Sequence, residues 1–275
     1  MSDFSEWVGR SQQSQDIITS SGVSRYCATL GIDPSVVEQT NLAPYGYHWC
    51  LCLPDAPMSE LGSDGHPKKG GFLPPISLPR RMWASSKVDF VSQLPIGATI
   101  NRTSTIISVD EKTGKTGALV FVVVEHSTEL EGQAAITEQQ TIVYRDAATT
   151  PMALPSSDGD KPSGWQNIET VLPTTPMLFR YSALTFNSHR IHYDLPYAQN
   201  QEMYPDLVVH GPLIASLLLQ VAAQRGELKH FSFRAQSAAF CDQALHLAAN
   251  YADQTGQLEA IGADGRTCVV SKVVY

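Results

Sequence analysis

Between Phe179 and Ala198 the chain reads FRYSALTFNSHRIHYDLPYA, a stretch poorly explained as core. His189 and His192 are the side chains here that titrate near neutral pH, which makes them candidate general bases. Asn187, five residues before His192, can donate and accept hydrogen bonds but cannot take up a proton, so it is a candidate for orienting a water or a carbonyl. Farther on, HGPLIASLLLQVAA begins at His210. A helix starting at Gly211 leaves backbone N–H groups unpaired at its N-terminus, and these donors with the helix dipole suit a developing oxyanion. A base, a polar orienter and an oxyanion site are the parts needed to add or remove water beside a thioester carbonyl. Asp194 reads as a residue that pins the loop. His189, His192 and His210 form an alternative metal set, but a firm carboxylate or cysteine partner is missing, and no metal is expected.

The elements around this stretch follow from spacing and breakers. Apolar residues at helical spacing predict a helix over 20–30, ending at Gly31, with a second short helix from Pro34. Residues 47–53 are aromatic and β-prone and predict a strand. A Pro- and Gly-rich loop over 54–79 is too long for a simple connection, and long ordered loops are often functional. Its Lys68-Lys69 pair and its exit at Arg80, Arg81, Met82 and Trp83 could hold phosphates and cover an acyl group. Strands are predicted at 100–109, 118–126 and 134–145, with a hairpin turn at Lys112-Thr113-Gly114. Residues 146–164 read as a linker. The second part gives a short strand at 168–172, a helix from Thr175-Pro176 to Leu184, the polar stretch as a loop, and an all-round apolar helix over 212–225. Closing strands are predicted at 231–235, 243–250, 257–262 and 268–274, with Asp264-Gly265 a hairpin turn.

Composition narrows the classes further. The 275 residues carry a net charge of -8, which argues against nucleic acid or an anionic membrane as the main partner, since both need clustered positive charge. The longest apolar run, ALVFVVV, is far short of a membrane span. Five cysteines without CxxC spacing fit free thiols in a reducing compartment. The start, MSDFSEWVGR, has neither the apolar core of a secretory signal nor the character of a transit peptide. A cytoplasmic protein is expected.

The order aromatic-Ser-x(4)-Asn-x(4)-His-x-Asp-x(2)-Tyr-Ala, followed by His-Gly and an apolar helix, resembles the motif of MaoC-like, hot-dog-fold (R)-specific enoyl-thioester hydratases. TFNSHRIHYD resembles more closely the hydroxyacyl-thioester dehydratase type 2 branch, which includes the mesaconyl-C4-CoA and itaconyl-CoA hydratases. GSDGHPKKGGFLPPISLPRRMW from Gly62 to Trp83, KTGKTGALVFVVVEH and EQQTIVYR extend the likeness over most of the chain. The resemblance implies an α+β protein of tandem (double) hot-dog fold, antiparallel sheets each wrapped around a central helix. Residues 1–150 would form a half that shapes the acyl pocket without a catalytic motif, and 165–275 the half that carries the motif. It implies that His192 activates water, Asn187 orients it and the Gly211 amide holds the thioester oxygen, with Arg180, Arg190, Arg81, Trp83, Tyr181 and His189 around the substrate. Arg180 and Arg190 are candidates for a distal carboxylate. The better-known hydratases place an aspartate where this chain has Asn187. With an amide there, either His192 does both proton transfers through water, or Asp194 or His189 assists. The expected substrate is an enoyl-CoA thioester, a short branched dicarboxylyl-CoA by resemblance, with coenzyme A present only as part of the substrate. A fatty-acid-type dehydratase, a non-catalytic thioester-binding protein and a thioesterase are the alternatives, and the assembly is at most a homodimer.

Overall fold

The computed structural model describes residues 4–114, 117–156 and 162–275. Alternating apolar residues separated by tight turns form antiparallel ladders, and here the ladders join into one sheet. The first part supplies β1 (Ser11–Ile17), β2 (Arg80–Phe90), β3 (Thr99–Gly114), β4 (Gly117–Leu130) and β5 (Gln133–Arg145). The second supplies β6 (Asn167–Val171), β7 (His230–Ala235), β8 (Leu245–Ala252), β9 (Thr255–Gly262) and β10 (Thr267–Val274). The strand order is β1-β3-β4-β5-β2-β7-β10-β9-β8-β6. Each half repeats the order first, third, fourth, fifth, second. The halves meet where β2 pairs with β7, from Ser85 opposite Arg234 to Asp89 opposite His230. This is the tandem hot-dog arrangement.

Among the described residues five α-helices accompany the sheet: α1 (Ser20–Leu30), α2 (Pro34–Thr40), α3 (Thr175–Leu184), α4 (Leu195–Asn200) and α5 (Gly211–Ala223). Apolar on nearly every side, α5 can only be satisfied inside. It packs on β2 and on β7 to β10 as the central helix of its half. The inner face of the first half is filled differently. Helix α1 packs against α3; Tyr47, Trp49 and Leu51 join the main core, and Phe72, Leu73, Ile76 and Leu78 of the long loop pack on Val120, Val122 and Tyr144.

Three sequence expectations change. Residues 47–53 are not a strand: Tyr47–Cys50 form a 3-10 turn. Their rings turn inward, and the Arg102 guanidinium ties the turn to β3 by donating to His48 O at 2.8 Å and Leu51 O at 2.9 Å. Arg80 to Trp83 are not a loop exit but the start of β2. Lys112 to Gly114, expected as a hairpin turn, belong to β3, and residues 115–116 lie outside the described residues. The linker has no helix or strand among its described residues, with 157–161 outside them. All five cysteines are free. Among the described residues no helix is long and apolar enough to cross a membrane.

Candidate active site

Helix α3 stops at Leu184, and Phe186 takes a positive φ of 47°, so the chain turns sharply into the polar stretch. Asn187 Oδ1 accepts the His189 backbone N–H at 3.0 Å. A 3-10 turn, Arg190–His192, follows, and Asp194 then caps α4 by accepting the Tyr197 N–H at 3.1 Å. These caps point His189 and His192 into the interior, where both are buried.

His192 Nδ1 lies 2.7 Å from Val208 O. A carbonyl only accepts, so Nδ1 carries the hydrogen and Nε2 presents the lone pair. The ring stacks on His210, centroids 3.6 Å apart, and His210 Nε2 is 2.8 Å from Ser182 Oγ. On the other side His189 stands 5.5 Å from His192, and His66 stands 4.1 Å from His189. His66 Nδ1 lies 3.0 Å from Asp64 Oδ2. Four imidazoles thus form a line from half-buried His66 to fully enclosed His210.

Burial is the main force on all four, because a low-dielectric surrounding penalises the charged form. It pushes His192 down to about 4, only partly offset by the Val208 carbonyl. His189 and His210 are lowered as well, with their neighbours' charges adding to burial, and His66 is lowered by burial against the raising bond and charge of Asp64. The Asp64 carboxyl is held low: burial would raise it, but the bond and charge of His66 outweigh that. At neutral pH the line is uncharged and ends on a carboxylate.

The family model for hydroxyacyl-thioester dehydratase type 2 matches residues 46–241. The mesaconyl-C(4)-CoA hydratase of Chloroflexus aurantiacus is 41% identical over 278 aligned residues, covering 98% of this chain and 97% of the relative. The chain belongs to the hydroxyacyl-thioester dehydratase type 2 family. It is a hydratase/dehydratase, a carbon–oxygen lyase. Among solved structures, HtdX of Mycobacterium tuberculosis superposes with a TM-score of 0.70 at 16% identity, covering 96% of this chain and 99% of that one. A second M. tuberculosis protein, described as a double hot-dog fold, gives 0.60 at 9% identity, covering 97% and 95%. Both share the fold.

In this type 2 dehydratase the expected site residues divide into two groups. Asn187, His189 and His192 come together, and Gly211 heads α5 with a Cβ position 3.8 Å from Trp83 O. Arg81 on β2 stands close enough for its charge to disfavour protonation of His66 and His189. The Trp83 indole donates to Ser86 Oγ at 2.8 Å and meets Trp49 edge-on.

The other three are placed elsewhere. Tyr181 is sealed in the core, its hydroxyl 3.2 Å from Ser216 Oγ, and it backs His210 instead of facing a substrate. Arg190 donates to Asp194 at 2.7 Å and to Ser63 O at 3.0 Å, so it anchors loops. Arg180, one residue round α3 from inward-facing Tyr181, is exposed. It lines a separate cavity of about 630 Å³ with Arg25 and Tyr47, on the α1 side of α3.

Sequence reasoning passed over Asp64, His66, Ser182 and the Val208 carbonyl. The signal for the first two was the Asp-Gly-His run inside the long loop. Asp64, His66 and His189 each offer one ligand atom within 4.8 Å of the others. Ligand atoms on tetrahedral zinc stand about 3.4 Å apart, and His66 Nδ1 already serves Asp64, so the trio fits a hydrogen-bonded pair beside a third ring better than a closed metal cage.

Proposed function

We propose that this enzyme reversibly adds water across the α,β-double bond of a short branched dicarboxylyl-CoA such as mesaconyl-C4-CoA or itaconyl-CoA. The observation that carries the reading is His192: a neutral imidazole with its tautomer fixed by Val208 O, beside the opening turn of α5. Nε2 takes a proton from water as the water oxygen bonds Cβ. The π pair moves toward the thioester, and the enolate oxygen is held by the Gly211 N–H and the positive end of the helix. Gly211 suits this place because Pro212 lacks an N–H and the first helical donors have no carbonyl one turn back. The imidazolium then returns its proton to Cα, and no redox cofactor or metal enters the scheme.

Asn187 Oδ1 accepts the His189 N–H, and its amide N–H donors and the remaining lone pair are left to orient a water. Arg81 supports the dicarboxylyl substrate. Among the described residues it makes no ion pair, and its guanidinium donates to Pro67 O at 3.3 Å and stands beside the Tyr144 hydroxyl. It takes over the part that the sequence assigned to Arg180 and Arg190. The substrate's name rests on the Chloroflexus relative. Free thiols and a net negative charge fit a cytoplasmic enzyme.

The test follows crotonyl-, mesaconyl-C1-, mesaconyl-C4- and itaconyl-CoA by mass with wild type and His192→Ala. A gain of one water, lost about 100-fold or more in the variant, supports the reading. Tight binding without water gain overturns it, and so does release of free coenzyme A thiol.

A further inference from the structure

The long loop of the first half is fastened to the motif of the second. The Arg190 N–H donates to Asp64 O at 2.9 Å, the Arg190 guanidinium donates to Ser63 O at 3.0 Å, and the Ser188 hydroxyl donates to Gly65 O. Gly65 has a φ of +88°, and a Cβ there would stand 1.9 Å from Ser188 O, so only glycine allows the loop to lie so close. Docked in this way, the loop carries Lys69 over the Tyr144 ring, its ammonium 5.7 Å from the centroid. Across the β2–β5 ladder Tyr144 stands directly opposite Arg81, and opposed residues project on one face of a sheet. Trp83 projects on that same face two residues on, a step of about 7 Å. Its carbonyl lies 3.8 Å from the Cβ position of Gly211. The cluster therefore stands beside the opening turn of α5, and the charge of Arg81 acts on His189.

Three donor groups meet here with too few acceptors. Lys69 donates to Leu78 O and Arg81 to Pro67 O, but an ammonium carries three N–H groups and a guanidinium five. Neither makes an ion pair among the described residues. The Tyr144 hydroxyl is buried beside Arg81, and no acceptor among the described residues takes its hydrogen. Burial and the Arg81 charge both disfavour the Lys69 ammonium. Asp64 is the negative charge that acts on both cations, and burial keeps its neighbour His66 neutral. One negative charge against two positive leaves the cluster one positive charge in excess. In a chain of net charge -8, that half-buried excess calls for one anion.

We infer that Lys69 and Tyr144, together with Arg81, hold the carboxylate that the acyl group bears on Cβ, which makes the long loop a selector for carboxylated acyl groups. This rests on the hydratase reading above. In a mesaconyl-C4 thioester the carbon that water attacks carries that carboxylate, three bonds from the thioester carbonyl carbon, a span of about 4 Å in the trans chain. Its single charge matches the excess of the cluster. Arg81 meets it as a planar fork, Lys69 as a point charge and the Tyr144 phenol as a neutral donor. The cations also act on the chemistry: enolate charge builds close to a carboxylate already charged, and they offset that repulsion. An acyl group with a methyl in place of the carboxylate leaves these donors unmatched, and that loss sets the discrimination.

The experiment measures kcat/KM for mesaconyl-C4-CoA and crotonyl-CoA with wild type, Lys69→Met, Lys69→Gln, Lys69→Arg, Tyr144→Phe and Arg81→Met, and reads the ratio of the two. Both values of a ratio come from one preparation, so partial unfolding cancels. The ratio is expected to fall about 10-fold in Lys69→Met and Tyr144→Phe and about 100-fold in Arg81→Met, with Lys69→Arg recovering most of the Lys69 loss. Lys69→Gln keeps a long polar side chain without the charge and decides the matter if Lys69→Met does not fold. The same panel on pantetheine thioesters, which lack the phosphates of coenzyme A, is expected to show the same falls. Ratios within about threefold of wild type in the folded Lys69 and Tyr144 variants overturn the inference while leaving the hydratase standing. So does a wild type that hydrates crotonyl-CoA alone. A loss shared equally by both coenzyme A thioesters and absent from the pantetheine ones also overturns it, making the cluster a phosphate site. If wild type hydrates neither thioester, the hydratase reading fails and this inference falls with it.

Discussion

The imidazole of His192 lies face to face on that of His210, with planes 20° from parallel. The pair is neutral because both rings are buried, and Ser182 Oγ is the hydrogen-bond partner of His210, whose Nδ1 has none. Ser182→Ala strips that partner and leaves a buried imidazole unsatisfied. The expected cost is about 1–3 kcal/mol in urea unfolding, with kcat falling more than KM rises, since His192 loses its backing.

Acid should unfold the protein through its histidines. His48, His66, His126, His189, His192 and His210 all have protonation disfavoured, chiefly by burial. A histidine whose folded pKa is depressed binds fewer protons folded than unfolded between the two values, so stability rises with pH across that window. For His192 the window runs from the ordinary 6.5 down to about 4. Stability is full above it and lost as pH falls. His192 alone should account for about 2 kcal/mol of loss at pH 5, with the others adding. Denaturant midpoints at pH 7.5 and 5 check this, and equal midpoints would refute it.

Gly65→Ala tests the docking of the long loop. The new methyl meets Ser188 O and sits at a positive φ, a strain of about 1–2 kcal/mol before the clash is counted. The loop is expected to lift, with kcat down about 10-fold or more while the far-UV spectrum stays unchanged.

Arg80 and Glu202 form a buried ion pair at 2.5 Å that links β2 to the segment after α4. Glu202→Ala leaves the arginine charge uncompensated and is expected to cost about 3–5 kcal/mol. The double variant Arg80→Met, Glu202→Leu is expected to recover most of that loss, which calorimetry of the three proteins measures.

Where the pattern was local, the sequence was legible. Gly31 ends α1, Thr175-Pro176 opens α3, and the apolar run of α5 declared its burial. What failed was set by tertiary context. β1, SQQSQDI, carries no alternation because it is an edge strand paired only with β3. β2 begins with two arginines, one paired with distant Glu202 and the other donating to Pro67 O. The 47–53 run looked like a strand because aromatic residues favour sheets, yet it fills the space inside one. Asp64 and His66 were invisible for the same kind of reason: they stand more than a hundred residues before His192 in sequence, and only the docking of the loop brings the two together.

The joint between β2 and β7 has a consequence for how this protein behaves in a test tube. Pairing between the two hot-dog halves is an intramolecular event, so it is governed by the effective concentration within one chain and not by how much protein is present. The groups gathered from both halves stay assembled at any dilution. Specific activity should therefore be flat from micromolar to subnanomolar enzyme, and each chain should titrate as a single site, because only the second half carries His192.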